Sequence, residues 1–209
     1  MKLTASTTAL AISLLAASTV LAQTSANNEK QEFAVTLGAM SGSSPTPAVG
    51  TLALGSGVAF EASYARNILG FNWAKLYWEA DGLYSPVRHL SGTTAGVTSA
   101  IHSVYVTQGF KLQFSPDEKI SPWLWAGDGL SFYNSSTNGL GGGTVAGGNR
   151  FGGNIAFGGG VDIATGKKYV IRGDVRCYYT GRPNFDVATS GGQFNFVLSG
   201  GIVWRMPKK

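Results

Sequence analysis

Apolar residues alternate with small, polar or charged ones along most of the chain. The alternation runs in segments of roughly ten residues, separated by clusters of Gly, Pro, Asn and Ser, and this period of two is the one extended strands require. The first segment, residues 32–40, places Phe33, Val35, Leu37 and Ala39 on one face and Thr36 and Gly38 on the other. Residues 57–66 set Val58, Phe60, Ala62 and Tyr64 against Glu61 and Ser63, and residues 72–84 set Ala74, Leu76, Trp78 and Ala80 against Lys75, Tyr77, Glu79 and Asp81. In residues 101–114, Val104, Val106, Phe110, Leu112 and Phe114 oppose Ser103, Tyr105, Thr107, Lys111 and Gln113. Residues 120–133 are ambiguous, because Leu124 and Leu130 share a face with Asp128 while Trp123, Trp125 and Tyr133 share the other; a bulge there would switch parity. Residues 154–163, 169–179 and 193–205 complete the series, the seventh most clearly, with Tyr169, Ile171, Val175, Cys177 and Tyr179 opposed to Arg172, Asp174 and Arg176.

The connections alternate in length. Residues 67–71, 115–119 and 164–168 are short, whereas 41–54, 85–100, 134–153 and 180–192 are long. An even number of antiparallel strands with tight turns at one end and extended loops at the other predicts an all-β, eight-stranded, up-and-down barrel. Residues 139–153 read as a mobile Gly-rich loop rather than a phosphate cradle, lacking the Lys and following helix of a P-loop.

Composition then decides which solvent faces which side. Charged residues are 13% of the 209, well under the roughly 25% of an ordinary soluble domain, while Gly reaches 30 residues and aromatics 11%. A soluble barrel exposes its charges and hides its apolar set; a barrel in lipid inverts this. Glu61, Lys75, Glu79, Asp81, Lys111, Arg172, Asp174, Arg176 and Arg205 all lie opposite the apolar face, five basic to four acidic. An eight-stranded lumen is just wide enough for side chains, so these residues are expected to form an internally paired ionic plug. Tyr64, Phe71, Trp73, Phe114, Trp123, Tyr169 and Trp204 fall near strand ends, where a membrane-interface belt of aromatics is expected.

Lys2, the apolar run at residues 9–20 and the small residues before Gln23 predict a secretory signal peptide over residues 1–22, followed by a flexible segment at 23–31, the barrel at 32–206 and a tail at 207–209. Beyond the leader no window offers the ~20 apolar residues of a spanning helix. Removing Lys2 leaves 15 basic against 11 acidic residues without a basic stripe, which gives nucleic-acid binding no support. Cys177, the one cysteine, cannot form an intramolecular disulfide. For catalysis, His89 lies near Ser91, and Asp81 or Glu79 could complete an acyl-transfer relay, but the spacing is generic. His102 has no second His nearby, so neither a metal nor another cofactor is expected. The sequon at Asn134 matters only in a glycosylating pathway.

The stretches AFEASYARNILGFNWAKLYWEADGLYS, HSVYVTQGFKLQFSP, PWLWAGDGLSFYN, FGGGVDIATGKKYVIRGDVRCYY and FNFVLSGGIVWRM resemble the bacterial outer-membrane protein β-barrel domain family, the small OmpA/OmpX-like or "porin family" barrels. The resemblance spans roughly residues 33–206. It implies a Gram-negative outer-membrane location, contact with outer-membrane lipids and lipopolysaccharide, passage through the barrel-assembly machinery, and a structural or surface-interaction role in which the long loops meet an extracellular ligand. Lipid-modifying hydrolases or acyltransferases and small passive pores are the alternatives that such barrels imply. Members usually end on an aromatic residue, whereas Trp204 here is followed by Arg205, Met206, Pro207, Lys208 and Lys209.

Overall fold

The computed structural model describes residues 31–43, 52–54, 56–92, 100–136, 149–166, 168–181 and 192–206. Regular structure among them is entirely β: β1 (Gln31–Ser43), β2 (Leu52–Leu54), β3 (Gly57–Gly70), β4 (Ala74–Gly92), β5 (Ala100–Phe114), β6 (Ile120–Ser136), β7 (Asn149–Ala164), β8 (Tyr169–Gly181) and β9 (Gly192–Met206). The strand order is β4-β3-β1-β9-β8-β7-β6-β5, and β4 bonds back to β5, so eight antiparallel staves close into a barrel. The short β2 pairs with the far end of β4.

Directly paired residues trace the stagger of the wall. Phe33 leads through Tyr64, Ala80, Gln108, Asp128, Ile155, Tyr179 and Phe194 back to Ser43 on β1, ten residues beyond its start. With eight strands, a stagger of this size tilts the staves and leaves an interior that side chains can fill. The traced line climbs from the short-turn end of the barrel to the long-loop end, and Asp128 lies half-way along it.

The three short turns close at one end. Phe71 N–H donates to the Ala74 carbonyl at 2.7 Å, Glu118 N–H to that of Ser115 at 3.0 Å, and Thr165 N–H to that of Tyr169 at 3.1 Å. Ser115 takes the left-handed conformation, with φ of 44°. At the other end the strands run further than the sequence pattern suggested. β4 continues through Gly92, where residues 85–100 read as loop, and β7 begins at Asn149, so Gly152 and Gly153 are strand rather than Gly-rich loop. A register shift between Ser85 and Arg88, at Pro86, breaks the alternation that marked the strand, while the backbone pairing resumes beyond it. β6 keeps continuous register with both neighbours, so the parity switch considered for residues 120–133 is absent there. Residues 1–22, expected to be a signal peptide, residues 207–209, expected to be a tail, and residues 137–148 lie outside the described residues.

The two sides of the wall differ sharply. Val35, Leu37, Phe60, Phe110, Ile155, Val175, Leu198 and Ile202 are exposed on the outside, Leu198 at 66%. Buried inside are Glu32, Glu61, Glu79, Asp81, Lys111, Asp162, Arg172, Asp174 and Arg176. Cys177 has outward parity but is covered, flanked across the ladder by Phe157 and Phe196.

Candidate functional site

The lumen is stacked in three layers, set by successive inward positions on the staves. Nearest the short turns, Glu32 of β1 receives Lys111 of β5, Arg205 of β9 at 3.0 Å and Arg172 of β8 at 3.6 Å. Arg172 also forms a two-pronged bond to Asp162 of β7, Nε to Oδ1 at 2.8 Å and Nη2 to Oδ2 at 2.9 Å. The Trp123 indole N–H donates to Asp162 at 3.1 Å while the ring lies under the Arg172 guanidinium, 4.9 Å away. A carboxylate buried at this depth is stable only when its lone pairs meet charged or N–H donors, which the facing staves supply.

In the middle layer one cation serves four acids. Arg176 of β8 lies 2.8 Å from Glu79, 3.0 Å from Glu61, 3.6 Å from Asp81 and 3.8 Å from Asp174, over the face of Trp125 at 4.9 Å. Asp81 further accepts from Tyr178 Oη at 2.9 Å and Thr107 Oγ1 at 3.2 Å, and Asp174 bonds to Ser199. Lys111 bridges the first two layers, 3.8 Å from Glu79 and 4.5 Å from the Tyr77 ring centre.

The layer toward the loops is less charged. Tyr105, Tyr133 and Tyr178 cluster with Met40, Leu83, Ile101 and Val197. Tyr133 Oη donates to Tyr105 Oη at 3.2 Å or to Thr180 Oγ1 at 3.1 Å, and Arg88 reaches Tyr105 Oη at 3.4 Å. Aliphatic and aromatic bulk therefore closes the lumen above the ionic layers.

Eight of the nine charges singled out from the sequence lie in or against these layers. Lys75 does not: it sits at the turn end, paired at 2.9 Å with the exposed Asp117. Two central carboxylates, Glu32 and Asp162, were not singled out, although their inward parity was visible. Trp123 is a correction among the aromatics: it is 1% exposed and points into the lumen, not toward the rim. Its parity matches Trp125 and Tyr133, and its indole fills space left by Gly160, where a Cβ would stand 2.7 Å from the ring. The other rim aromatics stand outside in two groups. Tyr64, Phe33, Trp204 and Tyr169 are successive cross-strand partners over four staves, and Phe71, Trp73 and Phe114 stack with centroids 6.0 Å apart.

Glu79 and Asp81, the acids considered for a relay with His89, are both committed to Arg176. The His89 backbone pairs with Ala100, and its side chain and that of Ser91 lie outside the described residues. His102 has outward parity. Among the described residues no group of three or more His, Cys, Asp or Glu is arranged to hold a metal.

No family model and no curated protein sequence matches the chain. Solved structures match it in fold. Neisserial surface protein A aligns at 16% identity with a TM-score of 0.55, covering 86% of this chain and 97% of that one. Ail, the attachment invasion locus protein of Yersinia pestis, solved with the heparin analogue sucrose octasulfate, aligns at 12% identity with a TM-score of 0.50, covering 87% and 100%. Closed staves, a side-chain-filled lumen and an apolar exterior thus give this chain the fold of the small, eight-stranded, OmpA/OmpX-like outer-membrane barrels.

Proposed function

We propose that the protein is an integral outer-membrane barrel whose work is structural or interactive, carried out by the loop end rather than by a reaction or by transport. The observation that carries this reading is the inside-out wall: paired ions fill the interior while large apolar side chains face outward, an arrangement stable in hydrocarbon and costly in water. The names of the two structural neighbours, a surface protein and an attachment protein, agree with a role at the loops. The sequences joining the long-loop ends, residues 44–51, 93–99, 137–148 and 182–191, hold Arg182 and Asp186 as their sole charges, and are otherwise rich in Gly, Thr, Ser and Pro. Such loops suit hydrogen bonding to a neutral partner better than capture of a sulfated polyanion, which needs a basic cluster. An N-terminal export signal, assembly by the barrel machinery and contact with lipopolysaccharide belong to the same reading.

The test is cell fractionation followed by gel electrophoresis of unboiled and boiled samples. The protein is expected in the outer-membrane fraction, with a mobility that changes on boiling; a soluble protein with one mobility would contradict the proposal. Alanine in place of His89 is expected to leave envelope lipids unchanged, which separates this reading from a lipid hydrolase or acyltransferase.

A further inference from the structure

The outer wall is not uniformly apolar. Gln108 on β5 and Asp128 on β6 are direct cross-strand partners, and both have outward parity, Gln108 between Val106 and Phe110 and Asp128 between Ala126 and Leu130. They stand half-way between the two rims, at the centre of the line of paired residues that climbs the barrel. The wall is shallow on one side of them only: Ala80 on β4 is the direct partner of Gln108, and Gly82 and Ala62 pair beside it, whereas Ile155 of β7, the direct partner of Asp128, and Val106 and Phe110 beside Gln108 stand out into the surroundings. The wall four staves from Asp128 in either direction carries apolar side chains alone at this height, Val35 and Leu37 of β1 among them.

A carboxylate and an amide at the middle of a lipid-facing wall are unfavourable against hydrocarbon, and intramembrane polar residues generally mark a contact or a pathway. Small residues on the β3–β4 side leave room for a partner's projecting side chains, and an amide has two N–H groups, enough to serve a carboxylate in its own chain and another across an interface. The patch carries donor and acceptor side by side. A two-fold axis passing between them brings Gln108 of each chain to Asp128 of the other, so the surface is complementary to itself, as an isologous contact requires. We propose that this face docks a second copy of the chain within the bilayer. The inference rests on the membrane reading above.

The test uses the full chain refolded in phosphatidylcholine vesicles, with Cys177→Ala as background and one new cysteine, Ala126→Cys in the patch or Leu37→Cys on the opposite wall. Oxidation is expected to give a disulfide dimer from Ala126→Cys and none from Leu37→Cys, while a lipid-soluble maleimide labels Leu37→Cys. Adding Asp128→Leu or Gln108→Leu is expected to weaken dimerisation about tenfold, the effect of intramembrane hydrogen bonds lost in symmetric pairs. Unboiled gel mobility checks that each variant folds. Equal cross-linking at both sites, none at Ala126→Cys, or no effect of either leucine variant overturns the dimer. Cross-linking of Ala126→Cys in native membranes to a chain of another mass overturns it too. Failure of Leu37→Cys to meet the lipid-soluble reagent overturns the membrane reading itself.

Discussion

Arg176 shows what the lumen demands of a single side chain. Its guanidinium is fully buried, always charged, and broad enough to meet Glu79 and Glu61 through Nη2 while Nη1 and Nε stay within ion-pair distance of Asp81 and Asp174, which a lysine's compact ammonium cannot do in the same geometry. Arg176→Leu leaves those carboxylates without their common partner and is expected to lower stability by about 3 kcal/mol or more, read from urea unfolding in detergent or lipid. The same logic reverses on the outer wall. Val175 is the neighbour of Arg176 in sequence and is 50% exposed on the other side. Val175→Lys is expected to cost roughly 2–4 kcal/mol in a bilayer, and little in a detergent that lets the ammonium reach water. Equal effects in the two media would contradict a lipid-facing Val175.

At the scale of the strand, β7 is shaped to make room. Gly158 and Gly160 face inward, and a side chain at Gly160 would meet Trp123 and the Asp174 Cβ, the latter at 2.8 Å. Gly160→Val is expected to push the Trp123 indole off Asp162, destabilise the barrel by about 1–3 kcal/mol, and shift Trp fluorescence. An unchanged emission spectrum would show that the indole is not held there. The strands themselves were legible in the sequence because alternation is a local property: the faces of β1, β3, β5, β8 and β9 follow from their residues alone. β6 was harder, since Trp123 and Trp125 look as suited to a lipid interface as to an interior. Which side they occupy depends on glycines in β7 some thirty residues away and on the acid at Asp162, a matter of register that no local pattern contains. Glu32 and Asp162 had the right parity, but their partners Arg205 and Arg172 are set by the register of the adjacent staves β9 and β8, and Lys111 reaches Glu32 from β5 across the lumen. The extension of β4 was hidden because Pro86 and the neighbouring register shift interrupt the period of two.

For the molecule as a whole, the three layers make the barrel a closed body rather than a channel. Ion pairs cross the lumen at two levels, Lys111 to Glu32 and Arg176 to Glu79, and Tyr105, Tyr133, Tyr178, Leu83 and Ile101 fill it toward the loops. In planar bilayers the protein is therefore expected to give no large, stable conductance steps; sustained channels would mean that the plug opens. The disposition of the five tryptophans offers the most direct test of the inside-out wall. Trp73 and Trp204 stand outside and Trp78 has outward parity, whereas Trp123 and Trp125 are in the lumen. In vesicles of brominated phosphatidylcholine, a variant keeping the outer three, with Trp123→Phe and Trp125→Phe, should be strongly quenched relative to unbrominated lipid. One keeping the inner pair, with Trp73→Phe, Trp78→Phe and Trp204→Phe, should be quenched far less; equal quenching of the two sets, or stronger quenching of the inner pair, would contradict it.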